Sequence, residues 1–163
     1  MVDIALCIGS NNGDRSWYIR RMEEMLRDVL EPPIVTSKIM ETEPVEVEEK
    51  QEWFLNRIIG GQFKRSAMEL LNDCRKIEKS LGRRYKGLRK ARTADVDILL
   101  YGTKVIISSV LTIPHPSILT RRFCLEGLRQ IMPDALIGDS GKTVEDCYLS
   151  MKKPVRNQKL RFL

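Results

Sequence analysis

The sequence predicts an α+β fold in which a mostly antiparallel sheet is covered by helices. Short runs rich in β-branched residues alternate with longer segments of helical period, and 42% of the 163 residues are hydrophobic, enough for a core. No stretch approaches the roughly 20 consecutive apolar residues that a membrane span needs. We therefore expect residues 1–163 to form a single domain with no membrane partner.

The first part of the chain carries the patterns of a strand, a helix and two more strands. In chain order they cover residues 4–8 (strand), 18–30 (helix), 34–45 (strand) and 54–63 (strand). Pro32 and Pro33 are expected to end the helix, because proline lacks the amide hydrogen that a helix needs. Gly60 and Gly61 are expected to form a β-bulge.

A second helix and a fourth strand complete a βαββαβ order. The helix begins at the capping box Ser66–Glu69 and ends at Gly82, and the strand runs from Ala94 to Tyr101. This order is typical of the ferredoxin-like fold, here with additional strands and helices. The additional elements are a short strand at 105–107, a helix at 117–131, a short helix at 143–149 and a solvated basic end at 152–161.

Composition narrows the function without deciding it. The chain has 28 Lys and Arg against 22 Asp and Glu, a formal net charge of +6, which suits nucleic acid and phosphorylated ligands equally. Six of the basic residues lie between Arg83 and Arg92. The four cysteines have neither metal-binding nor redox spacing, so we interpret them as buried thiols of a cytoplasmic protein.

Asp95 and Asp97 form the most informative pair. Alternate side chains of a strand share a face, so these carboxylates lie together, roughly 6–7 Å apart along the strand. Val96, Ile98 and Leu100 are expected to share the opposite face. A hard divalent cation bound to phosphate oxygens would offset the repulsion between the carboxylates, and so would nearby arginines. The pair alone leaves a metal site and a structural ion-pair network open.

The basic loop before this strand favours the metal site. Arg83 and Arg92 carry guanidinium groups that match phosphate geometry, and Gly82 and Gly87 give the loop backbone freedom. A cationic loop beside two carboxylates predicts a site for a nucleoside triphosphate. A lone histidine is usually structural, but His115 lies between two prolines that restrict its backbone, so a second interpretation is that it donates a hydrogen bond to phosphate.

Phe54 and Asn56 alternate along a predicted strand and therefore share a face. A ring beside an amide can bind a flat heterocycle by stacking and paired hydrogen bonds. The same composition is common in ordinary strands, so this pair by itself is a weak indication.

Several segments, taken in order, carry a more specific pattern. They are Ile8 to Asn11 with Gly13 to Arg15, Glu41 to Pro44, Phe54 to Asn56, Ile77-Glu78 with Leu81 to Arg83, Arg92 to Gly102, Leu111 to Pro116, Arg121 to Phe123, and Ile131 to Asp134. The combination of Arg-Thr-Ala-Asp-Val-Asp-Ile-Leu-Leu-Tyr-Gly with a downstream Pro-His-Pro is highly specific. Over nearly its whole length, the chain resembles the 6-hydroxymethyl-7,8-dihydropterin pyrophosphokinase family.

The resemblance implies a reaction and its participants. A member of this family transfers the β,γ-pyrophosphoryl group of ATP to the hydroxymethyl oxygen of 6-hydroxymethyl-7,8-dihydropterin, releasing AMP, in folate biosynthesis. The implied protein is a monomer that binds ATP, two Mg²⁺ ions and a small pterin, and has no nucleic-acid partner. Positioning and electrostatics dominate such transfers, so no strong base is required.

The resemblance also implies roles for individual residues. Asp95 and Asp97 would ligate the Mg²⁺ ions, and Arg83 and Arg92 would be catalytic, clamping the triphosphate. The residues implied to contact ATP are Ile98, Thr112, His115 and Arg121. The residues implied to bind the pterin, which would lie between the two phenylalanines, are Thr42, Glu43, Val45, Phe54, Asn56 and Phe123.

Three departures from the family pattern fall in loops. Residues 89–91 are Arg-Lys-Ala where the family usually has Trp-Gly-Pro, Glu43 replaces a usual proline, and residues 46–52 lack the usual glycine and Gln-Pro. None of them removes an expected metal ligand or Asn56. Activity is therefore still expected.

Two other classes of function fit part of the pattern. A metal-dependent nucleotidyltransferase also places paired aspartates on a ferredoxin-like sheet, but it needs a larger groove for nucleic acid. A basic ferredoxin-like RNA-binding module stacks bases on sheet aromatics, and here two aspartates on that face would repel phosphate. RNA binding that survives EDTA, without ATP turnover, would favour the module.

Overall fold

A six-stranded antiparallel sheet forms the centre of the protein in a computed structural model that describes residues 1–45, 47, 49–83 and 91–163. The strands of the described residues are β1 (Val2–Ser10), β2 (Glu31–Thr36), β3 (Met40–Thr42), β4 (Phe54–Phe63), β5 (Asp95–Tyr101), β6 (Ile106–Ile107), β7 (Thr112–Ile113) and β8 (Leu160–Phe162). The strand order is β5-β1-β4-β3-β8, with β2 also paired to β4, and β6 pairs with β7 in a separate sheet. This arrangement confirms the predicted ferredoxin-like core.

Helices cover both faces of the sheet. They are α1 (Arg15–Arg27), α2 (Ala67–Ser80), α3 (Ser117–Thr120), α4 (Arg122–Ile131), α5 (Val144–Leu149) and α6 (Lys153–Arg156). One hydrophobic cluster joins the sheet to α1 and α2, and a second joins the opposite face to α4 and α5. None of the helices in the described part of the chain is long and apolar enough to cross a membrane.

Local signals set most helix ends where the sequence indicates. Ser66 and Glu69 form the predicted capping box of α2, and Gly82 follows that helix with a positive φ of 87°, which a glycine adopts without strain. Helix α1 is displaced from its predicted range. It begins after Asp14, whose side chain accepts the Trp17 N–H at 2.9 Å, and it ends at Arg27, before the prolines.

The bulge predicted at Gly60 and Gly61 is wrong. These residues pair in regular register with Ala5 and Ile4 of β1. Position 60 is nevertheless crowded: a Cβ atom there would lie 2.9 Å from the Cε of Met132 and 3.0 Å from the Cγ2 of Val35, so a larger residue would require these side chains to shift. The absence of a side chain therefore lets the end of α4 approach the sheet closely.

A bulge lies instead in β5, at Leu99. Leu6 of β1 pairs with Ile98 and Ala5 pairs with Leu100, so Leu99 is an extra residue without a counterpart. Beyond it the alternation of faces is reversed, and Leu100 belongs to the α4–α5 cluster rather than to the cluster that holds Ile98. The prediction that Leu100 shares a face with Ile98 is therefore wrong.

Three further predicted elements are divided or extended in the structure. The predicted strand at 34–45 is two strands, β2 and β3, and the predicted helix at 117–131 is two helices, α3 and α4. The helices are separated at Arg121, whose backbone is extended (φ −122°, ψ 116°). The basic end at 152–161, predicted to be solvated, contains α6 and most of β8, which pairs with β3 as an edge strand.

Candidate active site

Two clefts meet at Asp97, on β5. The first cleft has a volume of about 150 Å³, and its walls include Val45, Phe54, Asn56, Arg92, Asp95 and Phe123. The second cleft has a volume of about 300 Å³, and its walls include Ile98, Ser108, Leu111, Thr112 and His115. Asp97 lines both clefts, so ligands in the two clefts would approach each other at this carboxylate.

Asp95 and Asp97 lie on one face of β5, as their spacing predicts, opposite Gly9 and Cys7 of β1. Both carboxylates line the first cleft. Asp95 is the more deeply placed of the two, with 15% of its side chain exposed against 32% for Asp97. Gly9 has no side chain to fill the space beside this strand: a Cβ there would lie 2.7 Å from the Oδ1 of Asn56.

Arg83 is part of a buried ion-pair network. Its side chain is only 4% exposed, and its Nη1 donates to Oδ1 of Asp95 and, at 3.2 Å, to the carbonyl oxygen of Ala94. The same atom lies 3.8 Å from Oε2 of Glu78, whose Oε1 accepts the Val96 N–H at 2.9 Å. The network links the end of α2 to the start of β5. In the described structure, Arg83 therefore holds Asp95 in place and does not line either cleft.

Arg92 also contacts Asp95, through an Nη1–Oδ2 distance of 3.2 Å, but its side chain reaches the first cleft. The Arg92 backbone is held by Asn11, whose Oδ1 accepts the Arg92 N–H at 2.7 Å and whose own N–H donates to the Arg92 carbonyl oxygen at 2.9 Å. The Asn11 Nδ2 donates to Gln51 Oε1 and to the Glu52 carbonyl oxygen. Asn11 thus connects Arg92 to the loop that contains Gln51 and Glu52.

Asn11 is a site residue that the sequence reasoning did not assign. In the sequence it belongs only to the family-like segment Ile8 to Asn11, although its side chain is 1% exposed and makes the hydrogen bonds described above. A polar side chain directly after an apolar strand was the available signal. That signal does not reveal which distant residues the side chain will reach.

The residues expected to bind the pterin surround the first cleft. Val45, Phe54, Asn56 and Phe123 line it. Thr42 supports Asn56 from behind, because its Oγ1 accepts the Asn56 Nδ2 at 2.8 Å. Glu43 supports the same wall through its carbonyl oxygen, which accepts from Nη2 of Arg121 at 3.5 Å.

Three of the four residues expected to contact ATP, namely Ile98, Thr112 and His115, line the second cleft. Arg121 lines the first cleft instead, with its guanidinium carbon 5.1 Å from the centre of the Phe123 ring. The extended backbone at the α3–α4 break gives Arg121 this direction. Arg121 is therefore separated from the other three residues and grouped with the aromatic wall.

One backbone and one side-chain hydrogen bond hold His115. Its backbone N–H donates to the carbonyl oxygen of Leu99, the bulge residue, at 3.0 Å, and its ring Nδ1 accepts the Ser117 N–H at 3.0 Å. Since Nδ1 accepts, the neutral ring carries its proton on Nε2. That atom lies 4.0 Å from Oδ1 of Asp97, at the boundary between the clefts.

Cys7 lies opposite Asp97 but stays a neutral thiol. Burial raises the pKa of Cys7 well above its ordinary value, and the nearby Cys124, Asp97 and Asp95 raise it further. A protonated thiol is neither a nucleophile nor a good metal ligand. Cys7 is therefore not a candidate ligand for a cation beside Asp97.

The donor set fits a hard divalent cation. No group of three or more His, Cys, Asp or Glu suited to a metal occurs in the described residues, so Asp95 and Asp97 would be the protein's contribution. Mg²⁺ is commonly bound by one or two carboxylates together with substrate phosphates and water. In the described structure, the two carboxylate oxygens of Asp95 accept from Arg83 and Arg92.

The loop departures fall partly outside the described residues. Residues 84–90, which include Gly87, Arg89 and Lys90, and also Glu46 and Glu48, belong to this group. The family resemblance implies that the loop containing residues 89–91 closes over the substrate and that its altered sequence changes this closure, which stays a prediction. Glu43, the third departure, is described and belongs to the wall of the first cleft through its contact with Arg121.

Fold and site together define a ferredoxin-like α+β protein with a polar cleft suited to a phosphorylated ligand. The profile of the 7,8-dihydro-6-hydroxymethylpterin-pyrophosphokinase (HPPK) family matches residues 5–133. The 2-amino-4-hydroxy-6-hydroxymethyldihydropteridine pyrophosphokinase of Bacillus subtilis is 35% identical over 127 residues, 77% of this chain and 75% of the relative. The chain belongs to this family.

Other relatives are longer. The folate synthesis bifunctional protein of Arabidopsis thaliana is 40% identical over 131 residues, but this chain spans only 27% of its length. A crystal structure of wild-type HPPK-DHPS from Plasmodium falciparum, with pterin and p-hydroxybenzoate, superposes with a TM-score of 0.71 at 17% identity. It covers 99% of this chain, which spans 46% of that chain. At this identity the superposition bears on the fold alone. These matches do not favour a nucleotidyltransferase or an RNA-binding module.

Proposed function

We propose that this chain transfers pyrophosphate from ATP to the hydroxymethyl group of 6-hydroxymethyl-7,8-dihydropterin, releasing AMP, as a step of folate biosynthesis. The observation that carries the proposal is the junction of two clefts at Asp97, with Asp95 and Arg92 beside it. A two-substrate transfer needs such a junction, because the acceptor and the donor must meet in one place. Membership of the pyrophosphokinase family supports the same reaction.

The pterin is assigned to the first cleft. Its flat ring would lie between Phe54 and Phe123, and the amide of Asn56 at the cleft wall would pair with its polar edge. The Asn56 Nδ2 already donates a hydrogen bond to Thr42, so the Asn56 side chain is held in place before a ligand binds. Preorganisation of this kind reduces the entropy lost on binding.

ATP is assigned to the second cleft, with its phosphates at Asp97. Ile98, Thr112 and His115 all line this cleft. The Nε2–H of His115 points towards the junction and would donate to a phosphate oxygen. The positions of Ile98, Thr112 and His115 support their expected contacts with ATP.

The transfer forms a bond between the hydroxymethyl oxygen and the β-phosphorus and breaks the bond from that phosphorus to the oxygen bridging to the α-phosphate. Negative charge grows on the bridging oxygen as AMP leaves. Arg92 and Arg121 both line the first cleft and would stabilise this charge. Arg83 would contribute indirectly, by holding Asp95.

The same proposal includes two Mg²⁺ ions at Asp95 and Asp97. Asp95 and Asp97 would hold the ions, which would supply neutralisation of the phosphate charge and a lower pKa for the attacking hydroxyl. The two carboxylates on one face, with no third protein ligand among the described residues, support this part of the proposal. A reducing compartment, the cytoplasm, is proposed for the enzyme because its four buried cysteines form no disulfide.

The test is an assay of the purified chain with ATP, Mg²⁺ and 6-hydroxymethyl-7,8-dihydropterin. We expect AMP to form only when all three are present, and formation to stop in EDTA. Reactions without the pterin control for simple ATP hydrolysis. Formation of ADP instead of AMP, or no pterin-dependent product, would contradict the proposal. An RNA mobility shift in EDTA would then support the RNA-binding alternative.

A further inference from the structure

A short segment far along the chain contacts residues that flank the first cleft on both sides. Residues 158–162, called the bracing segment below, comprise Gln158, Lys159 and strand β8. They lie beyond the region, residues 5–133, that matches the family profile. Neither Gln158 nor β8 lines a cleft, so any effect on ligand binding would pass through other residues.

Gln158 binds the backbone on both sides of Arg121. Its Nε2 donates to the Thr120 carbonyl oxygen at 2.8 Å, and its Oε1 accepts the Arg122 N–H at 3.0 Å. Its own carbonyl oxygen accepts from Nη1 of Arg122 at 3.2 Å. The break between α3 and α4 is thus held by one side chain that lies 36 residues from Arg122.

This contact replaces a missing helix cap. The first N–H groups of a helix have no partner within the helix, and a side chain at the N-cap position normally accepts from one of them. Arg121 occupies the N-cap position of α4 and makes no such bond. Gln158 accepts from the first N–H of α4 instead, which leaves the Arg121 side chain directed into the cleft.

The consequence reaches the aromatic wall. Phe123 lies in the first turn of α4 and is one of the two rings expected to enclose the pterin. The Arg121 guanidinium lies over that ring and also contacts the Glu43 carbonyl oxygen. Because Gln158 fixes the start of α4, it sets the positions of both Arg121 and Phe123.

The remainder of the bracing segment holds the opposite wall. In the β3–β8 ladder, Arg161 is opposite Glu41 and Leu160 is opposite Thr42. The Arg161 guanidinium pairs with Glu41, which is 8% exposed. The Lys159 N–H donates to Oε1 of Glu43 at 3.4 Å. Thr42 in turn supports Asn56, so this wall is linked to the group expected to read the pterin edge.

We propose that the bracing segment sets the distance between the two walls of the pterin cleft, with Gln158 as its positioning residue. This inference rests on the proposed function, because it assumes that the pterin binds in the first cleft. Among the described residues, the hydrogen bonds of the segment reach neither Thr112 nor His115 nor any other residue lining the second cleft. The segment therefore tunes pterin binding and leaves ATP binding unchanged.

The main test compares three variants of the full chain by steady-state kinetics. Gln158→Leu removes the donor and the acceptor at similar size, and we expect it to raise the pterin KM roughly tenfold, the effect of losing about one buried hydrogen bond. Its ATP KM should stay within about twofold. Gln158→Glu keeps the acceptor for the Arg122 N–H and should recover most of the pterin affinity. Asn157→Ala, at the neighbouring exposed position, is the matched control and should behave as wild type.

A fourth variant keeps the test independent of Gln158. Arg161→Ala removes the pair with Glu41 at a side chain that is 67% exposed, so the fold should tolerate it. We expect a pterin KM raised about threefold and an unchanged ATP KM. Equal changes in both KM values, or a change in melting temperature with no change in pterin KM, would overturn the proposed role of the bracing segment. An inactive wild-type chain would instead overturn the proposed function.

Discussion

The first and second clefts meet at Asp97 but are assembled in different ways. The walls of the first come from distant parts of the chain, such as Val45, Phe54, Arg92 and Phe123. Most of the second comes from two nearby stretches, residues 96–98 and 108–116, and the β6–β7 pair lies within or next to the later stretch. The first cleft therefore depends on side chains that bridge distant segments, whereas the second depends on local backbone geometry.

Replacing Asp97, which lines both clefts, should have the largest effect on activity. We expect Asp97→Asn to reduce AMP formation by roughly 10³-fold or more, because it removes a charge that serves both ligands. The melting temperature should change little, since the side chain is 32% exposed. The measurement is kcat with saturating ATP and pterin.

Asp3→Asn is the matched control for this variant, because Asp3 is an exposed carboxylate on β1 that lines neither cleft. It should retain full activity. Near-normal AMP formation by Asp97→Asn would refute the role of Asp97 and, with it, the view that the clefts function together.

Breaking a bridge of the first cleft should have the next largest effect. Asn11→Ala removes the bonds that tie the Arg92 backbone to Gln51 and Glu52. We expect kcat/KM for the pterin to fall about 30-fold and the unfolding free energy to fall by about 2 kcal/mol, because buried backbone groups lose partners. Affinity for a non-hydrolysable ATP analogue, measured by calorimetry, should stay nearly constant.

The neighbouring Asn12 is exposed and serves as the control, since Asn12→Ala should alter neither value. If Asn11→Ala weakened nucleotide binding as strongly as pterin binding, the two clefts would not be separable in the way their construction indicates.

The reciprocal change in the second cleft should be somewhat smaller. We expect His115→Ala to raise the KM for ATP roughly tenfold, because it removes one hydrogen bond to a charged phosphate. Pterin affinity should be retained. His115→Gln, which keeps a donor on a side chain of similar reach, should recover part of the loss. If His115→Ala raised the KM for the pterin but not the KM for ATP, the assignment of His115 to the ATP cleft would be wrong.

The smallest effect on activity is expected far from both clefts. Ser66→Ala removes the N-cap of α2 and should lower the unfolding free energy by about 1 kcal/mol while leaving both KM values unchanged. Hydrogen bonds from Ser66 lower the pKa of Glu69. The resulting stabilisation is present above the ordinary pKa of Glu69 and is lost as the pH falls through the lowered value.

The difference in melting temperature between wild type and Ser66→Ala should therefore narrow on acidification. Thermal unfolding followed at neutral and acidic pH provides the measurement. A difference that widened on acidification would mean that the Ser66 bonds favour the protonated form of Glu69.

Much of the fold was predictable because it follows local rules. Alternation along a strand placed Asp95 with Asp97 and Phe54 with Asn56, and each pair lines the first cleft. The capping box at Ser66 was equally readable, since its partners lie within four residues. These patterns depend on neighbours in the chain, so the sequence displays them directly.

Predictions were wrong where strand pairing decided the outcome. The bulge at Leu99 reverses the face of Leu100, and it follows from the register with β1 rather than from any local signal in β5. Similarly, Gly60 leaves room for the side chain of Met132 at the end of α4 and does not form a bulge.

The sequence by itself determined the α+β class, the family and the residue types of the site. Only the tertiary structure decided that Arg121 joins the first cleft, that Asn11 holds Arg92, and that Gln158 caps α4. The physical reason is the range of the interactions. Periodicity and capping act over a few residues, whereas the hydrogen bonds of Asn11 and Gln158 join backbone groups that come together only when the sheet is assembled.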